Sequence, residues 1–256
     1  MKAAGTAARA HRGAGRRAGA ALVFAAAVPL CLCAAVPSAV RAQQVGVAPE
    51  HSPFADILTH ESITFFAGRF AGNANDAGTG ARPGLMAGAR LQVRLSSALD
   101  AWVTVGEVWT SRLRIDAGGD TAKVLGNLNV KLLAADIDLA LNLTGDKTWH
   151  GLAPYVALGA GIAWPSTKVV DPGGYELGTD FTLVPTLGTR YFLSRNLSLR
   201  FEARDYYYRY SFPLFYFDRP YAPHTNGDPV LPANGPDRVW YNNVTFWVGV
   251  SYGFNF

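Results

Sequence analysis

From Val244 to Phe256 the chain reads VTFWVGVSYGFNF, and its apolar residues fall on alternate positions. Val244, Phe246, Val248, Val250, Tyr252, Phe254 and Phe256 share one parity; Thr245, Trp247, Gly249, Ser251, Gly253 and Asn255 share the other. Successive side chains of a strand point to opposite faces. One face is therefore greasy throughout, and the other is small or polar apart from Trp247. Soluble strands alternate too, but usually over about five or six residues. A tilted strand crossing a bilayer needs roughly 9 to 11.

No run of about 18 apolar residues follows Ala42, which excludes transmembrane helices. Any crossing must be made by strands, and strands satisfy their backbone in lipid only as a closed barrel. The first 42 residues read differently: basic and acid-free over MKAAGTAARAHRGAGRRAG, then ALVFAAAVPLCLCAAVPSAV, then Val40-Arg41-Ala42. That is the pattern of a secretory signal peptide cleaved near Ala42. The whole chain carries a net charge of +4, with 23 basic residues against 19 acidic. Six of the basic residues lie in the signal, so the mature chain holds 17 against 19, a net charge of about −2. A nucleic-acid partner loses its electrostatic footing. Both cysteines, Cys31 and Cys33, also lie in the signal, so disulfides and thiolate metal sites are not expected in the mature chain.

Eight alternating segments follow, at approximately 62 to 72, 84 to 95, 101 to 112, 128 to 143, 154 to 164, 180 to 192, 197 to 211 and 240 to 256. An even number suits an antiparallel closed meander. The connections alternate as well. Ser96 to Asp100, GDKTWHGLA and Ser194-Arg195-Asn196 are short, whereas GNANDAGTGARP, IDAGGDTAK, PSTKVVDPGGYELGT and PLFYFDRPYAPHTNGDPVLPANGPDR are longer or rich in glycine and proline. Short turns on one rim and long loops on the other predict an outer-membrane barrel with the long loops outward. The predicted organisation is a signal peptide over 1–42, a periplasmic leader over 43–61 and the barrel over 62–256.

A charge facing lipid near the bilayer midplane costs about 2 to 4 kcal/mol, so charges on spanning strands should point inward. That rule puts Arg90, Gln92 and Arg94 of the second strand inside, with Asp136 and Asp138 of the fourth. It adds Thr186, Gly188 and Arg190 of the sixth and Arg200, Glu202 and Arg204 of the seventh. In the fifth, Tyr155, Ala157, Gly159, Gly161 and Ala163 read inward. The third strand is ambiguous, because Glu107 shares parity with Val103, Val105 and Trp109; a bulge or a less greasy outer face is needed. Arg69 raises the same question on the first. Aromatic residues gather at the segment ends: Trp109, Trp164, Tyr206 to Tyr208, Trp240 and Tyr241 for an outer belt, and Tyr155, Tyr191, Phe192, Phe254 and Phe256 for a periplasmic one.

Carried by PYVALGAGIAW, the LGTRYFLSRNLSLRFEARDYYYRY hairpin and the closing WVGVSYGFNF, the sequence resembles small outer-membrane β-barrels of the OmpA-like type. The resemblance implies an all-β, eight-stranded antiparallel up-and-down transmembrane barrel in the outer membrane of a two-membrane bacterium, with no peptidoglycan-binding domain. It also implies that Phe256, preceded by Phe254 and Tyr252, addresses the chain to the barrel-assembly machinery, with periplasmic chaperones assisting. Outer-membrane lipid and lipopolysaccharide would surround it.

Eight strands leave an interior that side chains just fill. Arg90, Arg94, Arg190, Arg200 and Arg204 are expected to meet Asp136, Asp138 and Glu202 there, either as a self-satisfied polar plug or as the lining of a narrow conduction path. A lipid-modifying enzyme is the third alternative, since some barrels of this size modify lipid A. Nucleophilic catalysis needs a serine and a histidine with a carboxylate to orient it. Of the mature histidines, His51 and His60 precede the barrel, His150 sits in a short turn, and His224 lies in the last loop near Asp218 and Asp228. No glycine-rich phosphate loop or metal-spaced cluster occurs, and no cofactor is expected. The last loop, with Phe215, Tyr216, Phe217 and Tyr221 among prolines, is the candidate contact surface; the alternative is that FYF continues the strand above the membrane and packs on its neighbour. The reading favoured is a structural or surface-binding barrel, not an enzyme.

Overall fold

The computed structural model describes residues 52–255. The predicted signal peptide, the first part of the leader and Phe256 lie outside the described residues. In chain order the elements are β1 (Phe54–Asp56), β2 (Glu61–Phe70), β3 (Gly84–Arg94), β4 (Leu99–Asp116), β5 (Lys123–Asn142) and β6 (Lys147–Trp149). They continue with β7 (Leu152–Pro165), β8 (Asp180–Phe192), β9 (Leu197–Asp205), β10 (Tyr207–Ser211), the one-turn helix α1 (Phe215–Asp218), β11 (Arg238–Tyr241) and β12 (Val244–Phe254).

The wall runs β2-β3-β4-β5-β7-β8-β9-β12 and closes through β12 on β2, every pairing antiparallel. It is an eight-stranded closed barrel. Because no edge remains, every interior strand finds two hydrogen-bonding neighbours. Directly paired residues can be followed once round the wall, from Ser198 through Ser251, Thr64, Arg90, Thr104, Asp136, Gly161 and Thr182 to Tyr208. The path returns to the same chain segment 10 residues further on, from 198 to 208. Such a stagger forces the strands to tilt about 40° from the axis and leaves an interior that side chains fill.

The two faces follow the alternation. Burial in β12 reads iBeBeBeBeBi and in β5 ends BiBiBeBeBeB. Phe65, Ile137, Leu158, Leu187, Phe246 and Val250 all stand exposed on the outside. The ambiguity at β4 resolves without a bulge, since its register with β5 shifts only at Arg114/Ile115, beyond Glu107. Glu107 faces out and pairs with Lys131 of β5 at 3.3 Å. Arg69 also faces out, beside Leu85 and Phe246.

The short-turn end is compact. Trp149 pairs with Leu152 across His150 and Gly151, both at positive φ (50° and 79°), the left-handed pair that a two-residue hairpin turn requires. Here β6 also pairs with β1. At the other end β4 and β5 run past their neighbours as a hairpin, Lys123 to Lys131 pairing with β4 alone. Beyond Asp205 the β9/β10 strand and its neighbour β11/β12 are both interrupted. Asp205 accepts from Asn243 N at 2.8 Å and from Asn242 Nδ2 at 2.6 Å, at the break between β11 and β12. Across from it the β8 ladder skips Val184 and Pro185 and resumes in unchanged register at Leu183 with Tyr207, because proline has no N–H to offer.

Candidate functional site

Midway along the barrel the inward side chains of five strands meet. Arg90 of β3 donates from Nη1 and Nη2 to Glu202 of β9 at 2.7 and 2.8 Å, a bidentate pair. Tyr155 of β7 donates to the same carboxylate at 2.8 Å. Arg204 donates from Nη2 to Asp136 Oδ1 at 2.5 Å and to Asp138 Oδ1 at 2.9 Å on β5. Thr104 of β4 links the two halves, accepting from Arg90 Nε at 3.0 Å and Arg204 Nη1 at 3.2 Å while donating to Asp138 Oδ2 at 3.3 Å. The Arg90 guanidinium lies 4.2 Å from the Trp102 ring centre and 5.0 Å from that of Trp247. Buried ions are tolerated only when paired and hydrogen-bonded in this way.

A second group lies toward the short turns. Asp100 of β4 accepts from Gln92 Nε2 at 2.7 Å and Asn142 Nδ2 at 2.8 Å, with Arg190 Nη2 at 3.5 Å. Arg190 donates more closely to Asn142 Oδ1, at 2.6 Å. Arg94 reaches the mouth, where Nη1 donates to Ile57 O at 2.9 Å. Arg200 donates from Nε to Ser251 Oγ at 2.9 Å and from Nη2 to Gln92 Oε1. All eight charged residues singled out in the sequence thus point into the barrel. Four further partners complete the network. Asp100 belongs to β4 and not to the preceding turn; Tyr155 is buried inside, as its parity reads, and not in a belt; Thr104 and Asn142 are buried on the inward parity of their strands.

Over the long-loop end lies a lid. Asp171, in the connection from β7 to β8, accepts from Arg112 at 2.6 and 3.0 Å and from Arg114 Nε at 2.7 Å. Tyr175, Phe212 and Tyr216 stack near one another, and Tyr208 and Tyr210 share a hydrogen bond of 2.8 Å. Burial pushes the phenols of Tyr175 and Tyr216 up, away from ionisation.

The lid corrects two expectations. FYF does not continue a strand: it is α1, and of the four candidate contact residues Tyr216 and Phe217 are packed into the lid, while Phe215 is exposed and Tyr221 half-buried. An isolated turn cannot hold two large rings in water when an aromatic cluster lies beneath them. Likewise Tyr155, Tyr206, Tyr208 and Tyr241 are inside and not in the belts, their hydroxyls or rings being engaged there. Trp109 and Trp240 remain exposed at the long-loop end, and Tyr191 at the other. His224 lies exposed in the last loop, its Nδ1 3.3 Å from Asp228 O and its ring edge-on to Tyr221 at 5.0 Å.

A closed eight-stranded wall, apolar outside and ion-paired within, with turns and loops sorted to opposite rims, decides the architecture. The fold is an eight-stranded antiparallel closed β-barrel with an apolar exterior. No model of a known protein family matches the chain, and no curated protein sequence matches it. Among solved structures the chain is similar to Neisserial surface protein A, NspA, at 13% identity and TM-score 0.46, over 79% of this chain and 98% of that one. It is similar to outer-membrane protein OprG from Pseudomonas aeruginosa at 14% identity and TM-score 0.43, over 77% and 97%. The N-terminal β-barrel domain of Pseudomonas aeruginosa OprF is similar at 12% identity and TM-score 0.42, over 77% and 98%.

Proposed function

We propose that the protein is an integral outer-membrane barrel, exported by its signal peptide and assembled by the barrel-assembly machinery, whose role is structural or surface-binding through the long-loop end. The observation that carries this reading is the state of the interior. The side chains of Arg90, Glu202, Arg204 and Asp138 have no exposed area at all, and Asp136 retains 1%. An interior filled in this way supports a plugged wall over a conduction path. What remains available to a partner is the lid and its loops, including Leu214 and Phe215, both exposed beside the buried face of α1. Lipid and lipopolysaccharide would contact the apolar exterior. The histidine geometry supports a non-catalytic reading, since His224 touches a backbone carbonyl and a tyrosine ring, with no serine hydroxyl among its described contacts.

Single-channel recording in planar bilayers tests the choice. The expected outcome is no steady conductance from the folded protein, and open channels lost or altered in Arg200→Ala would reverse it. Spin labels at Leu199 and Phe246 test embedding: both should report hydrocarbon, and an aqueous surrounding would sink the reading.

A further inference from the structure

The inward charges divide unequally along the axis. At mid-barrel two guanidinium groups, Arg90 and Arg204, face three carboxylates. Toward the short turns lie three, Arg94, Arg190 and Arg200, with the single inward carboxylate of Asp100, which Arg94 and Arg190 approach to 3.9 and 3.5 Å. Arg94 sits at the mouth beside Glu61, lining the same surface recess, and Arg190 lies 3.5 Å from Asp100. That leaves Arg200, which forms no ion pair among the described residues although its side chain is fully buried.

Arg200 is also directly opposite Arg190 in the β8–β9 register, both pointing inward. Like charges opposed across a ladder repel, the more so away from water, and a guanidinium cannot relieve the repulsion by losing its proton. The hydrogen-bond account leans the same way. Arg200 Nη1, Arg190 Nε, Arg94 Nε and Trp102 Nε1 are buried donors without an acceptor, against two unsatisfied carboxylate oxygens in this half, Asp100 Oδ1 and Glu61 Oε2. Gln92 and Ser251 have already spent their oxygens on Arg200. Surplus donors and surplus positive charge, in one place, call for an acceptor that carries negative charge.

We infer that the short-turn half of the barrel interior binds one small monovalent inorganic anion, of halide size, held between Arg200 Nη1 and Arg190. The anion separates the two guanidinium groups electrostatically and completes the buried hydrogen bonding. The site concerns the interior alone and is independent of what the outer loops bind.

Bromide is the probe. The folded barrel, purified in detergent and kept in sodium gluconate, is titrated with sodium bromide at constant ionic strength while its unfolding is followed by heat-modifiable gel migration. A saturable upward shift of the unfolding midpoint is expected. Crystals grown in bromide should give an anomalous peak within contact of Arg200 Nη1. Arg200→Gln should lose both responses, and Arg195→Gln, in the exposed turn between β8 and β9, should keep both. Identical midpoints in gluconate and bromide, or bromide peaks confined to the exterior, would overturn the proposal and leave water to satisfy these donors. Should Arg200→Gln fail to fold, the wild-type titration and diffraction decide between the same two results.

Discussion

Arg90 shows what one residue does here. Its guanidinium holds Glu202 with both hydrogen-bonding arms and lies against the Trp102 face, so removing it strands a carboxylate where no water can reach. Arg90→Met is expected to destabilise the barrel by about 3 to 5 kcal/mol, read as an earlier midpoint in urea unfolding from detergent. The double variant Arg90→Met with Glu202→Met should recover most of that loss, since an apolar pair leaves no orphan charge. Equal losses in the single and double variants would show that the pair is not the unit of stability. The inward direction of these arginines and acids was legible because period two assigns every residue of a strand to a face once one is known. Glu107 and Arg69 were not, because parity alone cannot tell an inward charge from an outward one near a rim. Glu107 is resolved only by Lys131 on the neighbouring strand.

At the scale of elements, the wall strands could be read to within a few residues and the lid could not. A strand that crosses lipid carries its own evidence, an apolar face of fixed length. Leu158 lies on such a face in β7, widely exposed, and Leu158→Arg should cost about 2 to 4 kcal/mol of folding free energy in lipid vesicles. Leu214→Arg, exposed in the last loop, should cost almost nothing by the same measurement; equal costs would place both residues in one environment. The lid depends on contacts between distant segments, such as Asp171 with Arg112 and Arg114. Asp171→Asn weakens that anchor, and the connection from 166 to 179 should become cleavable by added protease while the unfolding midpoint of the wall stays put. Unchanged resistance would mean that the stacked aromatics hold the loop without the ion pairs. Local pattern had no way to show that α1 would bury Tyr216 and Phe217, because the Tyr175 ring stacked on Tyr216 comes from elsewhere in the chain.

For the molecule as a whole, closure does what no single strand can. Eight tilted strands with a stagger of 10 residues from Ser198 to Tyr208 bring β2 against β12, so the two ends of the wall are stitched together only when the rest is in place. On the proposed role of Phe256 as an assembly address, deleting it is expected to slow assembly in cells while leaving refolding in detergent largely intact; pulse-chase appearance of the heat-modifiable form measures it, and equal rates would refute that proposal. The amino-acid order by itself determined the strand count, the inward and outward faces and the sorting of turns from loops, since each is a property of neighbours in the chain. Only the tertiary structure decided which arginine meets which acid, why Arg200 is left over, and how the loops close the end. Those are matters of register and of contact between strands, and both are set when the wall closes, after local preference has been exhausted.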